Sequence, residues 1–208
     1  MRRSSTTAHA LLGLLALRPR WSMWELTQQL SRNMRFFWPR AASRVYDEAR
    51  RLEARGWARA EREYVGKRRR TTYAITSKGR RELDSWLASP PRATLLECEP
   101  LLRIMLGDLG TTSALRLSLA RARADARAIL EVGRVVASEY RRGDAPFQDD
   151  VHVRAFVFDF LSHHALMLLE WADRTEASIR KWKSLPRGPR AARAIAAITA
   201  CLSKYPAK

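Results

Sequence analysis

Cysteine is scarce in this chain, and the patterns that usually form reactive or metal sites are missing. Cys98 and Cys201 are the only cysteines in 208 residues, and they lie far apart in no CxxC or Cys/His spacing. Structural zinc needs four ligands at short spacings, so no metal site is expected. The sequence also lacks a GxxxxGK phosphate loop, a set of nucleophile, base and acid, and an HExxH motif around His163-His164. We therefore expect no catalytic residues, no enzyme activity and no cofactor.

Long apolar segments are lacking as well. The apolar run nearest the start, Ala10–Leu17, has eight residues, whereas a membrane span needs about 20. It ends in Arg18-Pro19-Arg20 without a small-x-small cleavage site, so it predicts a first helix and not a signal peptide. Together with two unpaired cysteines, this favours a cytoplasmic protein that does not enter a membrane.

Negative charge is also in short supply. The chain holds 39 Lys and Arg against 21 Asp and Glu, a net charge of +18. Residues 1–90 carry 20 of the basic residues and only 8 of the acidic ones, so most of the excess lies there. A field of this sign attracts polyanions. Nucleic acid is the commonest polyanion in a cell, although an anionic membrane surface would be attracted too.

The first ninety residues have the pattern of three helices followed by a hairpin. Helical periodicity predicts a first helix over Thr6–Leu17 and a second over Met23–Asn33, which Ser22 and Glu25 begin with a capping box. A third helix is predicted over Pro39–Arg55, because proline favours the first helical position. The positions of this helix predicted to face the core are Ala42, Val45, Ala49 and Leu52.

A basic hairpin follows the third helix. Residues 57–65 and 70–75 alternate as strands and are joined by a predicted turn over residues 66–69. The hairpin therefore carries four consecutive cations at its tip, Lys67, Arg68, Arg69 and Arg70. A fourth helix is predicted to end near Leu87, and Pro90-Pro91 marks a boundary between domains 1–90 and 91–208.

The second domain is predicted to be helical throughout, so the fold class is mainly α with a small β-hairpin. Its predicted helices lie near Leu95–Leu106 and over about Thr112–Arg142, 148–183 and 189–202. The third of these is apolar on more than one face between Val151 and Trp171. A helix of this kind is typically buried between partners.

A helix-turn-helix followed by a basic hairpin favours DNA as the polyanion. A major groove admits one helix, whose exposed N-terminal residues contact base edges. The hairpin cations would contact phosphates or an adjacent minor groove, which positions a protein without reading much sequence. A run of cations alone describes a solvated surface equally well. The predicted base-reading residues are Arg40, Ser43 and Arg44, with Asp47 and Arg51 farther along the third helix.

Segments in order along residues 8–88 resemble the PadR family of winged-helix regulators. The matching segments are Ala10–Leu15, Trp24-Glu25-Leu26, Phe37-Trp38-Pro39, Val45-Tyr46, Arg51–Gly56, Tyr73–Thr76, Gly79-Arg80 and Trp86-Leu87. The resemblance implies an N-terminal winged helix-turn-helix that binds double-stranded DNA and a C-terminal helical domain that forms a homodimer. Trp24 departs from the family, which usually has a tyrosine or similar residue there, and we expect it to affect packing and not binding.

The resemblance also implies roles for single residues. Tyr46 matches the recognition-helix tyrosine, whose hydroxyl would contact a phosphate, although packing beside Val45 is equally consistent. Some relatives sense aromatic compounds, so Phe160, Met167 and Trp171 are candidates for an effector pocket, while their helical spacing also fits a core. The predicted function is a repressor that binds palindromic operators as a homodimer and is released by a small molecule, for which an aromatic compound is the candidate.

Other hypotheses stay open at this point. An adaptor would use the hairpin cations on RNA or on an anionic lipid surface, and a hydrolase or transferase would need His163 or His164. Asp159 and His163 lie one helical turn apart and form either a pH-sensitive pair or part of a polar stripe. His152 and His163 would be about 16 Å apart on one helix, too far to share a metal.

Overall fold

The computed structural model of the chain describes residues 5–39, 41–65, 68–182 and 191–202. The chain divides into two units, residues 1–94 and 95–208. The first unit holds four helices and a small antiparallel sheet, and the second is helical in its described residues. The predicted fold class is confirmed.

Side-chain caps set the beginnings of α1 (Thr6–Leu17) and α2 (Met23–Asn33), both at their predicted bounds. The Ser5 hydroxyl accepts a hydrogen bond from the Ala8 N–H at 3.1 Å. At α2 the Ser22 hydroxyl accepts from the Glu25 N–H at 3.2 Å, and the Glu25 carboxylate accepts from the Ser22 N–H at 2.7 Å. This reciprocal pair is the predicted capping box.

The third helix, α3, spans Ala42–Ala54, so the predicted start at Pro39 is wrong. The N–H groups of Phe37 and Trp38 donate to the Met34 carbonyl at 3.1 and 2.6 Å. These bonds close a turn directly before Pro39, and the helix then begins after Ala41, which makes no side-chain cap. The prediction that Ala42 faces the core is also wrong, because this residue is exposed.

The sheet has three strands, β1 (Trp21–Ser22), β2 (Ala58–Val65) and β3 (Arg68–Ile75), in the order β1-β3-β2. The predicted turn over residues 66–69 is wrong, because Val65 pairs with Arg68 and Tyr64 with Arg69. Strand pairing uses backbone groups, so the run of cations does not end the ladder. Lys67, predicted at the tip of the hairpin, lies with Gly66 outside the described residues.

The core of the first unit is built by α1, α2, α3, β1 and β3, with α4 (Ser77–Leu87) packed on α1. The Thr76 hydroxyl caps α4 by accepting from the Gly79 N–H at 3.1 Å. Buried His9 joins α1 to α4, because its Nε2 lies 3.1 Å from Glu82 Oε1 and its ring stacks on Trp86 at 4.8 Å. The fully buried large side chains of this unit are Leu11, Leu12, Leu15, Trp21, Leu26, Val45 and Leu52.

The second unit contains two long helices with shorter ones before and after them. They are α5 (Glu99–Met105), a 3₁₀ turn (Gly107–Leu109), α6 (Thr112–Arg142), a second 3₁₀ turn (Gln148–Asp150), α7 (Val151–Arg180) and α8 (Ala191–Leu202). The predicted bounds of α6 are confirmed, and α6 ends at Gly143, whose φ of 80° suits glycine. None of the helices in the described ranges combines the length and apolarity needed to cross a bilayer.

The helices α6 and α7 run antiparallel and pack together at one end through a small core. Leu115 and Leu119 of α6 pack with Ala172 and Ile179 of α7. Beside them the Arg123 guanidinium donates to Asp173 at 2.8 Å and pairs with Glu176 at 2.6 Å. Burial works against this charge, but the hydrogen bonds to the two carboxylates outweigh it and raise the pKa of Arg123.

Candidate nucleic-acid interface

The helix α3 has one buried side and one exposed side that can enter a groove. Val45, Ala49 and Leu52 are buried, as predicted. Ser43, Asp47 and Arg50 follow at i, i+4 and i+7 on the opposite side, and all three are exposed. This exposed side is polar along its length and faces away from the core of the first unit.

Two of the predicted α3 cations differ in their surroundings. Arg44 is exposed in the first turn and makes no ion pair within the described part of the chain. Arg51 is exposed too, but its Nη1 atom donates to the buried Glu48 carboxylate at 3.1 Å. Arg44 is therefore the freer donor for a base or a phosphate. The third predicted cation, Arg40, lies outside the described residues.

Tyr46 and Arg50 flank and extend this exposed side. Tyr46 is 43% exposed, so its ring does not pack in the core beside Val45. Arg50 is exposed in the middle of the polar side, and sequence reasoning missed it. The signal was available, because Arg50 lies seven residues after Ser43 and three after Asp47, which helical periodicity places on one side.

The wing is the hairpin formed by β2 and β3, and carboxylates engage several of its cations. Arg70, a predicted phosphate contact, is half exposed and lies 3.9 Å from Glu25 and 4.0 Å from Glu63. Arg62 donates to both carboxylate oxygens of Glu53, at 2.9 and 2.8 Å. Arg68 and Arg69 are described in their backbone only, as members of the β3 ladder.

Glu25 connects the beginning of α2 to the wing. Hydrogen bonds from the Ser22 hydroxyl and the Ser22 N–H lower the pKa of Glu25 and outweigh the opposing effect of burial, and the charges of Arg70 and Arg18 make smaller contributions that lower it further. Glu25 is therefore held as a carboxylate near neutral pH. The same carboxylate caps α2 and faces a wing cation.

The three effector candidates do not share one environment. Phe160 and Met167 are exposed on α7, whereas Trp171 is half-buried and packs against the core of Leu115, Leu119, Ala172 and Ile179. An open cavity of about 670 Å³ lies between α5 and α6, and none of the three candidates lines it. The lining of this cavity includes Cys98, Arg103, Leu117, Ser118 and Arg121. The described residues hold no cluster of three or more His, Cys, Asp or Glu suited to a metal.

Comparison with known proteins adds a family match in the first unit. Residues 11–85 match the model of the Transcriptional regulator PadR-like family. A probable transcriptional regulator of Mycobacterium tuberculosis is 33% identical over 70 residues, which cover 33% of this chain. That match spans 37% of the relative, so the likeness concerns about a third of each protein.

Solved structures share the fold over most of the chain. A PadR-like transcriptional regulator from Bacillus cereus has a TM-score of 0.70 at 18% identity, over 84% of this chain and 98% of its own. Bacillus subtilis PadR in complex with operator DNA has a TM-score of 0.68 at 18% identity, over 84% and 99%. The same protein in complex with p-coumaric acid has a TM-score of 0.62 at 19% identity, over 85% and 100%. These likenesses establish a winged-helix fold with C-terminal helices.

Proposed function

We propose that the protein binds double-stranded DNA sequence-specifically and regulates transcription, which the match of residues 11–85 to the model of the Transcriptional regulator PadR-like family supports. The observation that carries this proposal is the polar exposed side of α3, with Arg44 free of ion pairs in the described part of the chain. A location in the cytoplasm, where DNA is accessible, follows from this function.

In this proposal α3 reads bases in a major groove. Arg40, Ser43 and Arg44 contact base edges, because a guanidinium can donate twice to guanine and a serine hydroxyl can donate or accept. Tyr46 and Arg51 contact the adjacent phosphates. Arg50, exposed between Asp47 and the end of the helix, joins this set.

The wing supplies affinity that depends little on sequence. Lys67, Arg68, Arg69 and Arg70 neutralise phosphates or enter an adjacent minor groove, and such contacts release counterions from the duplex. In this proposal residues 1–90 bind DNA. Residues 91–208 form the dimer and bind the effector.

A homodimer would cover the apolar stripe that α7 leaves exposed. Val153, Phe156, Phe160 and Met167 follow one another at helical spacing, and Phe156 and Phe160 are 76% and 64% exposed. Aromatic side chains that bury 150–250 Å² each would contribute strongly to an interface, by roughly 25 cal/mol per Å². A two-fold dimer would bind a palindromic operator, with half-sites roughly 34–36 Å apart.

The proposal includes regulation by a small molecule. Bacillus subtilis PadR is known in complex with p-coumaric acid, and in this chain the exposed Phe160 and Met167 and the half-buried Trp171 offer aromatic and sulfur side chains on α7. Release of a repressor by an aromatic effector is the form of regulation we propose.

The experiment is a footprint of the region upstream of the chain's own gene at physiological salt. The proposal predicts two protected half-sites with related sequences, about one helical turn or a multiple of it apart. Uniform protection of the whole fragment, or of an unrelated fragment at the same protein concentration, would contradict sequence-specific regulation and favour a nonspecific polyanion binder.

A further inference from the structure

Trp24 is exposed where a packing role was expected. Its side chain is 68% exposed, whereas Trp21, three residues earlier, is fully buried. The departure from the family at this position therefore does not serve the core of the first unit. An indole carries a large apolar surface and one N–H donor. In the folded chain most of this surface is open to solvent, so it is available to a ligand.

The first turn of α2 fixes the backbone at Trp24. It lies between Ser22 and Glu25, whose capping box fixes the backbone on both sides of it. The indole itself has few rotatable bonds, so ordering it against a ligand costs little conformational entropy. The indole of Trp24 thus extends from a backbone that is already ordered before any ligand binds.

The surroundings of Trp24 suit a polyanion. Arg18 and Arg70 both act on the Glu25 carboxylate next to it, and Arg70 belongs to the wing strand β3. The ladder pairs Ser22 with Thr72, so α2 begins beside the strand that continues into the wing. An anionic ligand at the wing cations would lie within reach of this turn.

The other exposed residues on this side of α2 are polar. Gln28 and Ser31 follow Trp24 at i+4 and i+7, and both are exposed. An apolar protein partner would need a contiguous apolar patch, which this side of α2 does not offer. A ligand with acceptor oxygens and small apolar surfaces fits better, and a sugar–phosphate backbone has both.

We infer that Trp24, with Gln28 one turn farther, contacts the sugar–phosphate backbone of the duplex whose major groove holds α3. The inference rests on the proposed function, since the first helix of a helix-turn-helix crosses the DNA backbone. The indole Nε1–H donates to a phosphate oxygen while the ring packs on a deoxyribose. This contact is uncharged, so it adds affinity without releasing counterions.

The test compares Trp24→Ala, Trp24→Phe and the control Leu87→Ala, which removes a similarly exposed apolar side chain (66%) from α4. Binding to a fluorescein-labelled duplex from upstream of the chain's own gene, and to a shuffled duplex of equal length, is measured by anisotropy at two salt concentrations. Thermal unfolding of each variant is measured alongside.

The expected results separate a backbone contact from other roles. Trp24→Ala weakens both duplexes alike by about tenfold, as the loss of a hydrogen bond to a charged group does, and leaves the salt slope unchanged. Trp24→Phe falls between wild type and Trp24→Ala, because the ring contact survives without the donor. Leu87→Ala binds as wild type does, and the unfolding midpoints of all three variants stay close to that of wild type.

Several results would overturn the inference. They are wild-type affinity in Trp24→Ala, a loss confined to one duplex, a reduced salt slope, or an equal loss in Leu87→Ala. A reduced slope would mean that Trp24 acts through the wing cations. Equal binding of both duplexes by the wild type would count against the proposed function, while the Trp24 contact would still be judged by the loss on either duplex.

Discussion

The guanidinium of Arg62 donates to both carboxylate oxygens of Glu53, at 2.9 and 2.8 Å, and so joins β2 of the wing to the last full turn of α3. Wing and α3 would contact the same duplex, so the angle between them affects binding. The ion pair is partly exposed, with Arg62 and Glu53 side chains 46% and 30% accessible. Its effect on stability is therefore small, and its main effect is to fix the angle between the wing and α3.

Loss of this ion pair is expected to affect DNA binding more than folding. Glu53→Gln should lower the free energy of unfolding by no more than about 1 kcal/mol, because exposed ion pairs contribute little. DNA affinity should fall, since the wing is no longer fixed against α3. A double-mutant cycle with Arg62→Met, followed by both denaturation and DNA binding, checks this. A coupling energy between the two residues that is present for unfolding but absent for DNA binding would contradict this prediction.

The capping box of α2 is expected to give the protein a pH-dependent stability. Ser22→Ala should lower the free energy of unfolding by about 1 kcal/mol at neutral pH. Because folding lowers the pKa of Glu25 below its ordinary value of 4.5, its contribution is present above that value and lost as pH falls through the folded pKa.

The difference between wild type and Ser22→Ala should therefore shrink in urea titrations as pH falls from about 4.5 through the lowered pKa of Glu25, because Glu25 becomes protonated in both proteins at the end of that range. An unchanged or larger difference at acidic pH would mean that the carboxylate of Glu25 contributes nothing to the cap.

Gly79 is expected to be intolerant of any side chain. A Cβ at this position would lie 2.0 Å from the carbonyl oxygen of Trp57, a backbone atom that cannot turn aside. Gly79→Ala should lower the free energy of unfolding by about 1–3 kcal/mol, as overpacking does. Gly13→Ala is a matched control on α1, where a Cβ would meet nothing within 4 Å, and should stabilise by roughly 0.5–1 kcal/mol. Equal effects of the two changes in thermal denaturation would contradict this account.

The exposed stripe of α7 is expected to form the dimer. The double variant Phe156→Asp/Phe160→Asp should raise the dissociation constant of the dimer at least about hundredfold, because each side chain counts twice in a two-fold interface. Analytical ultracentrifugation at micromolar concentration measures this, with Leu87→Asp as an exposed control on α4. A monomeric wild type, or an unchanged dimer in the double variant, would remove the stripe from the interface.

Sequence patterns predicted helices well where a cap or a breaker marks their ends. α1 and α2 are capped by Ser5 and Ser22, and α6 ends at Gly143, so local chemistry fixes their bounds. α3 has no side-chain cap, and a backbone turn closed on the Met34 carbonyl precedes Pro39, so the helix starts only after Ala41. β1 has only two residues, too few for an alternating pattern, and exists because β3 pairs with it.

The sequence predicted the kind of site and its exposed residues, but not the carboxylates that pair with its cations. Periodicity alone placed Ser43 and Arg44 on the exposed side of α3. It did not reveal that Glu48 holds Arg51, or that Arg70 faces Glu25 and Glu63, because ion pairs between elements depend on the tertiary fold. The exposure of Trp24 could not be predicted for the same reason, since no local pattern tells whether a tryptophan at a helix start packs inward.

The central claim is that α3 reads sequence while the wing supplies affinity, and a comparison of Arg44→Ala with Arg69→Ala tests it most directly. Dissociation constants are measured on the operator and on an unrelated duplex over a range of salt. Arg44→Ala should cost about 1–3 kcal/mol on the operator alone, and Arg69→Ala should weaken both duplexes alike and lower the salt slope by about one. An unchanged ratio of the two affinities in Arg44→Ala would contradict the account.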